Sequence, residues 1–299
     1  MEYTPINWYP GHMAKTKKVI IETLKMVDLV VEIVDARIPN ASRNPDFDSY
    51  LSSVPRLIIL NKQDLADPKI TALWADYYKK KGYLTIVANS KAGKGLGSFF
   101  DIVKQALKEK TDKKNARGLG AIPLRLMVVG IPNCGKSTFI NKLSKSSAAK
   151  VEDRPGVTRG KQLINLGNGF ELIDMPGMLW GKIENAEDSL KLAVTGAIRD
   201  AITDMEYLAQ FLLETIRDTD NIKTRYKIEN YETLPGDEIL NLIAKKRGFI
   251  LSGGVPDLER GAKIVIDEFR AGLLGTISLE KPDDMILKIE EEPDGMVQK

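Results

Sequence analysis

The chain has 299 residues, 43% hydrophobic and 28% charged, with one cysteine. That length allows two domains and a sizeable core, and a lone cysteine leaves no internal disulfide to form. No apolar run approaches membrane-spanning length, and the first twenty residues hold neither a signal-peptide core nor an arginine-rich amphipathic helix, so a cytoplasmic protein without membrane contact is expected. The net charge is +3, unevenly spread: residues 1–182 carry 29 Lys and Arg against 17 Asp and Glu, the remainder 15 against 24. The first half is therefore the face that attracts a polyanion.

Taken in chain order, the first informative stretch is Trp8-Tyr9-Pro10-Gly11-His12-Met13, which holds the only histidine and is followed by Lys15, Lys17 and Lys18. Histidine can orient or deprotonate water near neutral pH, and a structural role or a partner contact is the alternative. Residues 56–60, RLIIL, predict a buried strand delivering Asn61-Lys62-Gln63-Asp64 at its carboxyl end, where ligands bind in open parallel sheets. This is N-K-x-D, in which Asp64 can accept from guanine N1 and the 2-amino group. Adenine offers no such pair, and a carboxylate left unpaired beside it is costly. A surface turn is the competing reading of these polar residues. A second strand, 83–88, leads to Asn89-Ser90-Lys91, where many GTPases carry S-A-K beneath the base.

Lys79 to Lys81 form one basic cluster, and Lys104, Lys108, Lys110, Lys113, Lys114 and Arg117 form another ahead of the next strand. Such runs usually coat a solvated helix, but their summed excess makes nucleic-acid contact credible. Residues 124–129, LRLMVV, run into Gly130-Ile131-Pro132-Asn133-Cys134-Gly135-Lys136-Ser137, a P-loop G-x-x-x-x-G-K-S/T with a helix expected from Lys136. Backbone N–H groups of 133–138, including Thr138, can cradle phosphates. Lys136 reaches the β and γ oxygens as a catalytic cation, and Ser137 gives a hydroxyl to Mg²⁺. Gly135 removes a Cβ that would block the approach. Asn133 can help hold a K⁺ against the phosphates, and Cys134 fills a loop position with no chemistry assigned.

Pro155-Gly156-Val157-Thr158 reads as a switch, with Thr158 the second hydroxyl ligand of Mg²⁺. The strand 170–173 ends in Asp174-Met175-Pro176-Gly177, the D-x-x-G pattern, with Asp174 holding Mg²⁺ through water and the Gly177 N–H sensing the γ-phosphate. Met178 stands where Ras-like enzymes carry the water-orienting glutamine, so intrinsic hydrolysis should be slow. Helical spacing predicts helices over 186–199, 204–217, 235–247 and 256–272. Lys245-Lys246-Arg247-Gly248-Phe249 and Lys223, Arg225 and Lys227 are local basic spots there.

The guanine motif precedes the phosphate motif, the reverse of the ordinary GTPase order. The expected fold is therefore a circularly permuted P-loop α/β GTPase domain with a mainly parallel sheet (1–182, with an N-terminal extension 1–18). A small helical domain (183–280) and a flexible acidic tail (281–299) should follow. Because Asp174 completes the sheet, the helical segment is attached directly to the switch, and a change at the γ-phosphate could reorient it.

Tyr9-Pro10-Gly11-His12-Met13-Ala14-Lys15, followed by N-K-Q-D, N-S-K, G-I-P-N-C-G-K-S, P-G-V-T and D-M-P-G in that order, closely resembles the YlqF-type ribosome biogenesis GTPases of bacteria over roughly residues 5–275. The resemblance implies a GTPase that matures a late large-subunit precursor, binds its rRNA and is stimulated by the ribosomal particle, as a monomer off the ribosome. It also implies a catalytic role for His12, a potassium-linked one for Asn133, and rRNA binding by the helical domain. The alternative is a GTP-gated signalling or translation-control module with a protein target and little intrinsic hydrolysis.

Overall fold

The computed structural model describes residues 12–118, 122–146, 150–151, 162–180, 183, 185–200 and 203–282. Its centre is a seven-stranded sheet of β1 (Leu29–Asp35), β2 (Arg56–Asn61), β3 (Leu84–Val87), β4 (Leu124–Gly130), β5 (Lys150–Val151), β6 (Gln162–Gly167) and β7 (Phe170–Asp174), in the order β3-β2-β1-β4-β7-β6-β5. The first five in that order run parallel, while β6 and β5 are antiparallel.

The central strand β1 carries no nucleotide motif, and its sequence LVVEIVD is buried at every position. Leu29, Val31 and Ile33 enter one core, whereas Val30 and Val34 enter two others. Burial on both faces explains the near-continuous apolar run, as in sheets covered by helices on each side. Glu32 is tolerated inside it because Arg43 and Arg56 reach its carboxylate at 3.2 and 3.4 Å. Register then aligns the chemistry. Asp35 lies opposite Asn61, Ile33 opposite Gly130, and Val128 opposite Asp174. The strand order reverses between β1 and β4, where open α/β sheets bind their ligands.

Helix α1 (His12–Leu24) and α2 (Asp46–Tyr50) contribute to one core, α3 (Pro68–Lys80) to a second, and α4 (Phe99–Ala106) and α6 (Lys136–Ser146) to the third. Between the last two, α5 (Lys108–Ala116) has no buried residue. The expected strands at 56–60, 83–88, 124–129 and 170–173 all form, within a residue or two.

The C-terminal helices are α7 (Ala186–Val194), α8 (Met205–Ile216), α9 (Asn221–Tyr226), α10 (Gly236–Lys246) and α11 (Leu258–Arg270). Side chains of Asn185, Asp204 and Asp257 accept N–H groups of the first turns of α7, α8 and α11, the usual role of these residue types at an N-cap. Helix α7 stops at Val194, five residues short of the expected end. Gly196 follows with φ +81°, and the Arg270 guanidinium takes the carbonyls of Ala193 and Val194. Residues from Leu29 to Leu279, from sheet and helices alike, share one hydrophobic cluster. After α11 the chain returns to the seven-stranded sheet, where Ile277, Leu279 and Glu280 are buried.

Among the described residues, no helix is long and apolar enough to cross a membrane.

Candidate nucleotide site

Asn61 joins three motifs. The residue is 2% exposed. Its Nδ2 donates to the Cys134 carbonyl of the P-loop at 2.9 Å, and its Oδ1 accepts the Ser90 N–H at 3.0 Å. Lys62, at φ +61°, turns the chain sharply, so that the Gln63 N–H meets the Ala88 carbonyl and Asp64 stands exposed. A non-glycine residue with positive φ carries a cost that its surroundings must offset, and here the Lys62 ammonium lies 2.9 Å from Asp35. Asn89 shapes the neighbouring loop, its Oδ1 accepting the Ala92 N–H. The buried Ser90 Oγ has no hydrogen-bond partner among the described residues, an open polar atom that suits a base edge arriving between the two loops.

Asp35 is the buried anchor of this end. Arg37 grips it with two parallel bonds of 2.9 and 2.7 Å. Burial opposes its ionisation, but the Arg37 and Lys62 charges outweigh that and hold the carboxyl well below the usual carboxylate range. Neither Asp35 nor Arg37 belongs to a recognised nucleotide motif. An acid and a base closing a long apolar run, as in L-V-V-E-I-V-D-A-R, were the signal available in the sequence.

At the phosphate end, β4 delivers a loop with almost no free volume. A Cβ on Gly130 would lie 2.7 Å from the Ile33 carbonyl, and one on Gly135, at φ +95°, 2.2 Å from Asn61 Nδ2. Glycine alone satisfies both the backbone angle and the contact. Cys134 is buried, and burial pushes its thiol up to about 11, which leaves it inert as expected. Ser137 and Thr138 are exposed in the first turn of α6. Lys136 Nζ lies 3.0 Å from Asp174, which brings P-loop and D-x-x-G together. Gly177 packs against Pro132, and the Met178 N–H donates to the Gly130 carbonyl. The Met178 side chain is buried in a core with Ile20 and Met175: the methionine packs the interior. Asn133, at φ +58°, donates its Nδ2 to the Gly196 carbonyl of the helical domain at 2.6 Å.

The side chain of His12, which opens α1, and all of Thr158 lie outside the described residues. Among the described residues there is no cluster of three His, Cys, Asp or Glu fit for a metal. The oxygen donors Ser137 and Asp174 instead suit a hard cation that keeps several waters, as Mg²⁺ does.

The strand order, with a guanine motif after β2 and a phosphate loop after β4, defines a circularly permuted P-loop GTPase. A family model described as 50S ribosome-binding GTPase matches residues 125–245, and Ribosome biogenesis GTPase A of Bacillus cereus is 42% identical over 290 residues, spanning 96% of this chain and 97% of its own. The chain belongs to the ribosome biogenesis GTPase A family. The Thermotoga maritima protein of that name is 32% identical over 97% of this chain. Two solved structures, a GDP-bound YlqF and the GNP-bound YlqF of T. maritima, align with TM-scores of 0.64 and 0.63 at 29% identity, covering 89% and 90% of this chain and 100% and 99% of theirs.

Proposed function

We propose that the protein hydrolyses GTP as an assembly factor for late maturation of the large ribosomal subunit, binding its rRNA and stimulated by the ribosomal particle. The observation that carries the reading is the single buried amide of Asn61. It ties the guanine loop, the Ser90 loop and the P-loop into one site, in a chain that matches proteins named for ribosome biogenesis along nearly its whole length.

In this reading Asn61 and Asp64 read guanine, while Lys62 and Gln63 shape the loop that carries them. Backbone N–H groups of 133–138 cradle the phosphates, and Lys136 leaves Asp174 for the β and γ oxygens. Ser137, Thr158 and, through water, Asp174 would hold Mg²⁺, which supplies charge neutralisation at the phosphates when bound. The Oδ1 of Asn133 is its free ligand atom for K⁺, because Nδ2 is spent on Gly196. His12 is assigned to the attacking water, and Gly177 to sensing the γ-phosphate.

The exposed α5 supports RNA contact. Lys110 and Lys114 neutralise Asp28 at 2.7 and 3.3 Å, whereas Lys108, Lys113 and Arg117 make no ion pair among the described residues. The helical domain offers less. Arg225 and Arg247 are spent on Glu268, and Lys223 on Glu229, which leaves Lys245, Lys246 and Lys227 exposed for phosphate. The protein is taken to act as a monomer off the ribosome; the acidic tail expected over 281–299 lies, from residue 283 on, outside the described residues.

The buried Met178 favours a second reading, a GTP-gated module with a protein target and negligible hydrolysis on its own. GTP turnover measured alone and with large ribosomal subunits, in K⁺ and in Na⁺, separates the two. Strong K⁺-dependent stimulation by subunits is the expected result. No response to subunits in either salt would reject the assembly reading.

A further inference from the structure

Beyond α11 the chain passes Gly272, where a Cβ would lie 2.7 Å from the Leu65 side chain, and then lies along the back of the guanine loop. The Ile277 N–H donates to the Leu65 carbonyl at 2.9 Å, and the Leu279 N–H to the Arg37 carbonyl at 2.8 Å. The Asp67 N–H donates to Ser278 Oγ at 3.1 Å, and the Trp74 indole N–H to the Glu280 carbonyl at 3.1 Å. The Glu280 carboxylate, fully inside the protein, accepts the N–H groups of Asn40 at 2.7 Å and Ala41 at 3.0 Å, with Lys191 of α7 3.8 Å away.

Apart from Trp74 of α3 and Lys191 of α7, these partners fall in two loops. Residues 61–67 carry N-K-Q-D, and Leu65 directly follows Asp64. Residues 35–41 carry Asp35, the anchor of Lys62. The guanine loop and its neighbour are thus fastened from behind by residues more than two hundred positions away, through hydrogen bonds that each use a main-chain group and involve no nucleotide. Asp64 itself is exposed, so its aim depends on how firmly the backbone on either side is held. Discrimination by a carboxylate that must meet N1 and the 2-amino group together falls quickly when that aim loosens, because each misplaced bond is lost to water.

We infer that residues 277–280 form a clamp that positions the guanine-reading loop, with Glu280 as its fastening, so that the end of the helical domain contributes to base selectivity. The inference rests on the assignment of Asn61 and Asp64 as the base site. GTP and GDP carry the same base, so a loosened clamp weakens both equally. The clamp does not touch the phosphate loop, so turnover at saturating GTP is spared.

The test uses the full-length chain, comparing wild type with Glu280→Ala and the milder Ser278→Ala. Dissociation constants are measured for GTP, GDP and inosine triphosphate, which lacks the 2-amino group, together with kcat, KM and thermal unfolding. Glu280→Ala should weaken GTP and GDP alike by about ten-fold, which is about 1.4 kcal/mol, and narrow the preference for GTP over inosine triphosphate. KM should rise, with kcat within about two-fold of wild type. Ser278→Ala should move selectivity the same way by a smaller factor, and it decides the matter if Glu280→Ala does not fold. Lower thermal stability with an unchanged GTP to inosine triphosphate ratio would make the clamp merely structural and overturn the inference. Asp64→Asn is the separate control. If it keeps its preference for GTP over xanthosine triphosphate, the base-site assignment fails and the clamp fails with it. A switch to xanthosine triphosphate beside an unmoved Glu280→Ala ratio sinks the clamp alone.

Discussion

At the base end of the site, Asn61 and Asp35 are buried and each engages two or more partners, whereas at the phosphate end the side chains of Lys136 and Asn133 each reach a single partner among the described residues, from half-buried or exposed positions. Buried, mutually satisfied polar groups hold one geometry, so the guanine loop is formed before any ligand arrives. The phosphate end instead stores its groups in contacts the nucleotide must take over. In the proposed reading, base selection is then a property of the folded chain, while phosphate sensing requires a rearrangement, which suits a switch.

The largest test of that contrast is Asp35→Ala. It leaves the Arg37 guanidinium, 1% exposed, without its counter-charge, and breaking one side of such a buried pair costs about 3–5 kcal/mol. Denaturant unfolding should show a loss of that order. A loss below about 1 kcal/mol would mean that the base end is no firmer than a surface pair.

Second comes pH, because the base end holds two buried carboxyls with opposite behaviour. Burial, helped by Asp188, raises Glu280 from 4.5 to about 7 in spite of Lys191 and the amides of Asn40 and Ala41. A carboxyl whose folded pKa is raised makes its full contribution below 4.5 and loses it as pH climbs through about 7. Asp35 is lowered, so its contribution holds above the ordinary carboxylate pKa and is lost only in stronger acid. Glu280→Gln, which cannot ionise, should gain on wild type as pH rises from 4.5 to about 7, by at most about 3 kcal/mol. A stability difference that stays flat over that window would show that Glu280 is not the group titrating there.

Third is Asn61→Ala, which strands the Ser90 N–H and the Cys134 carbonyl at about 1–3 kcal/mol. Nucleotide affinity should fall with stability, because the guanine loop and the P-loop lose their shared bond. Unchanged GTP binding by titration calorimetry would show that the two loops are held in register by something else.

The parts of this site that were legible in the sequence are the ones whose chemistry is local. Asn61, Gly130 and Asp174 each end an apolar strand, and short spacings fix what their neighbours can do. Strand β1 has the same apolar character but no motif after it, so nothing in the sequence marks it, or Asp35 and Arg37 at its end, as setting the register of the whole site. The C-terminal return was not legible at all. Each of its hydrogen bonds uses a main-chain group on at least one side, and the Asp67 to Ser278 contact spans 211 residues, so no periodicity or residue type announces it. The expected helix over 186–199 overran because a glycine and the distant Arg270 close α7 early.

The smallest expected effect on stability comes from the phosphate end, and it separates the two ends most cleanly. Lys136 and Asp174 keep 11% and 25% of their side chains exposed, and a pair in that setting contributes up to about 1 kcal/mol. Asp174→Asn should therefore leave the unfolding midpoint almost where it is. The same change removes a hard carboxylate from the oxygen donors that suit Mg²⁺, so the Mg²⁺ dependence of GTP binding should weaken sharply while Mg²⁺-free binding of GDP stays near wild type. If Asp174→Asn instead destabilises the fold as much as Asp35→Ala, the Lys136 contact is a structural lock like those at the base end, and the phosphate groups are not held in readiness for a ligand.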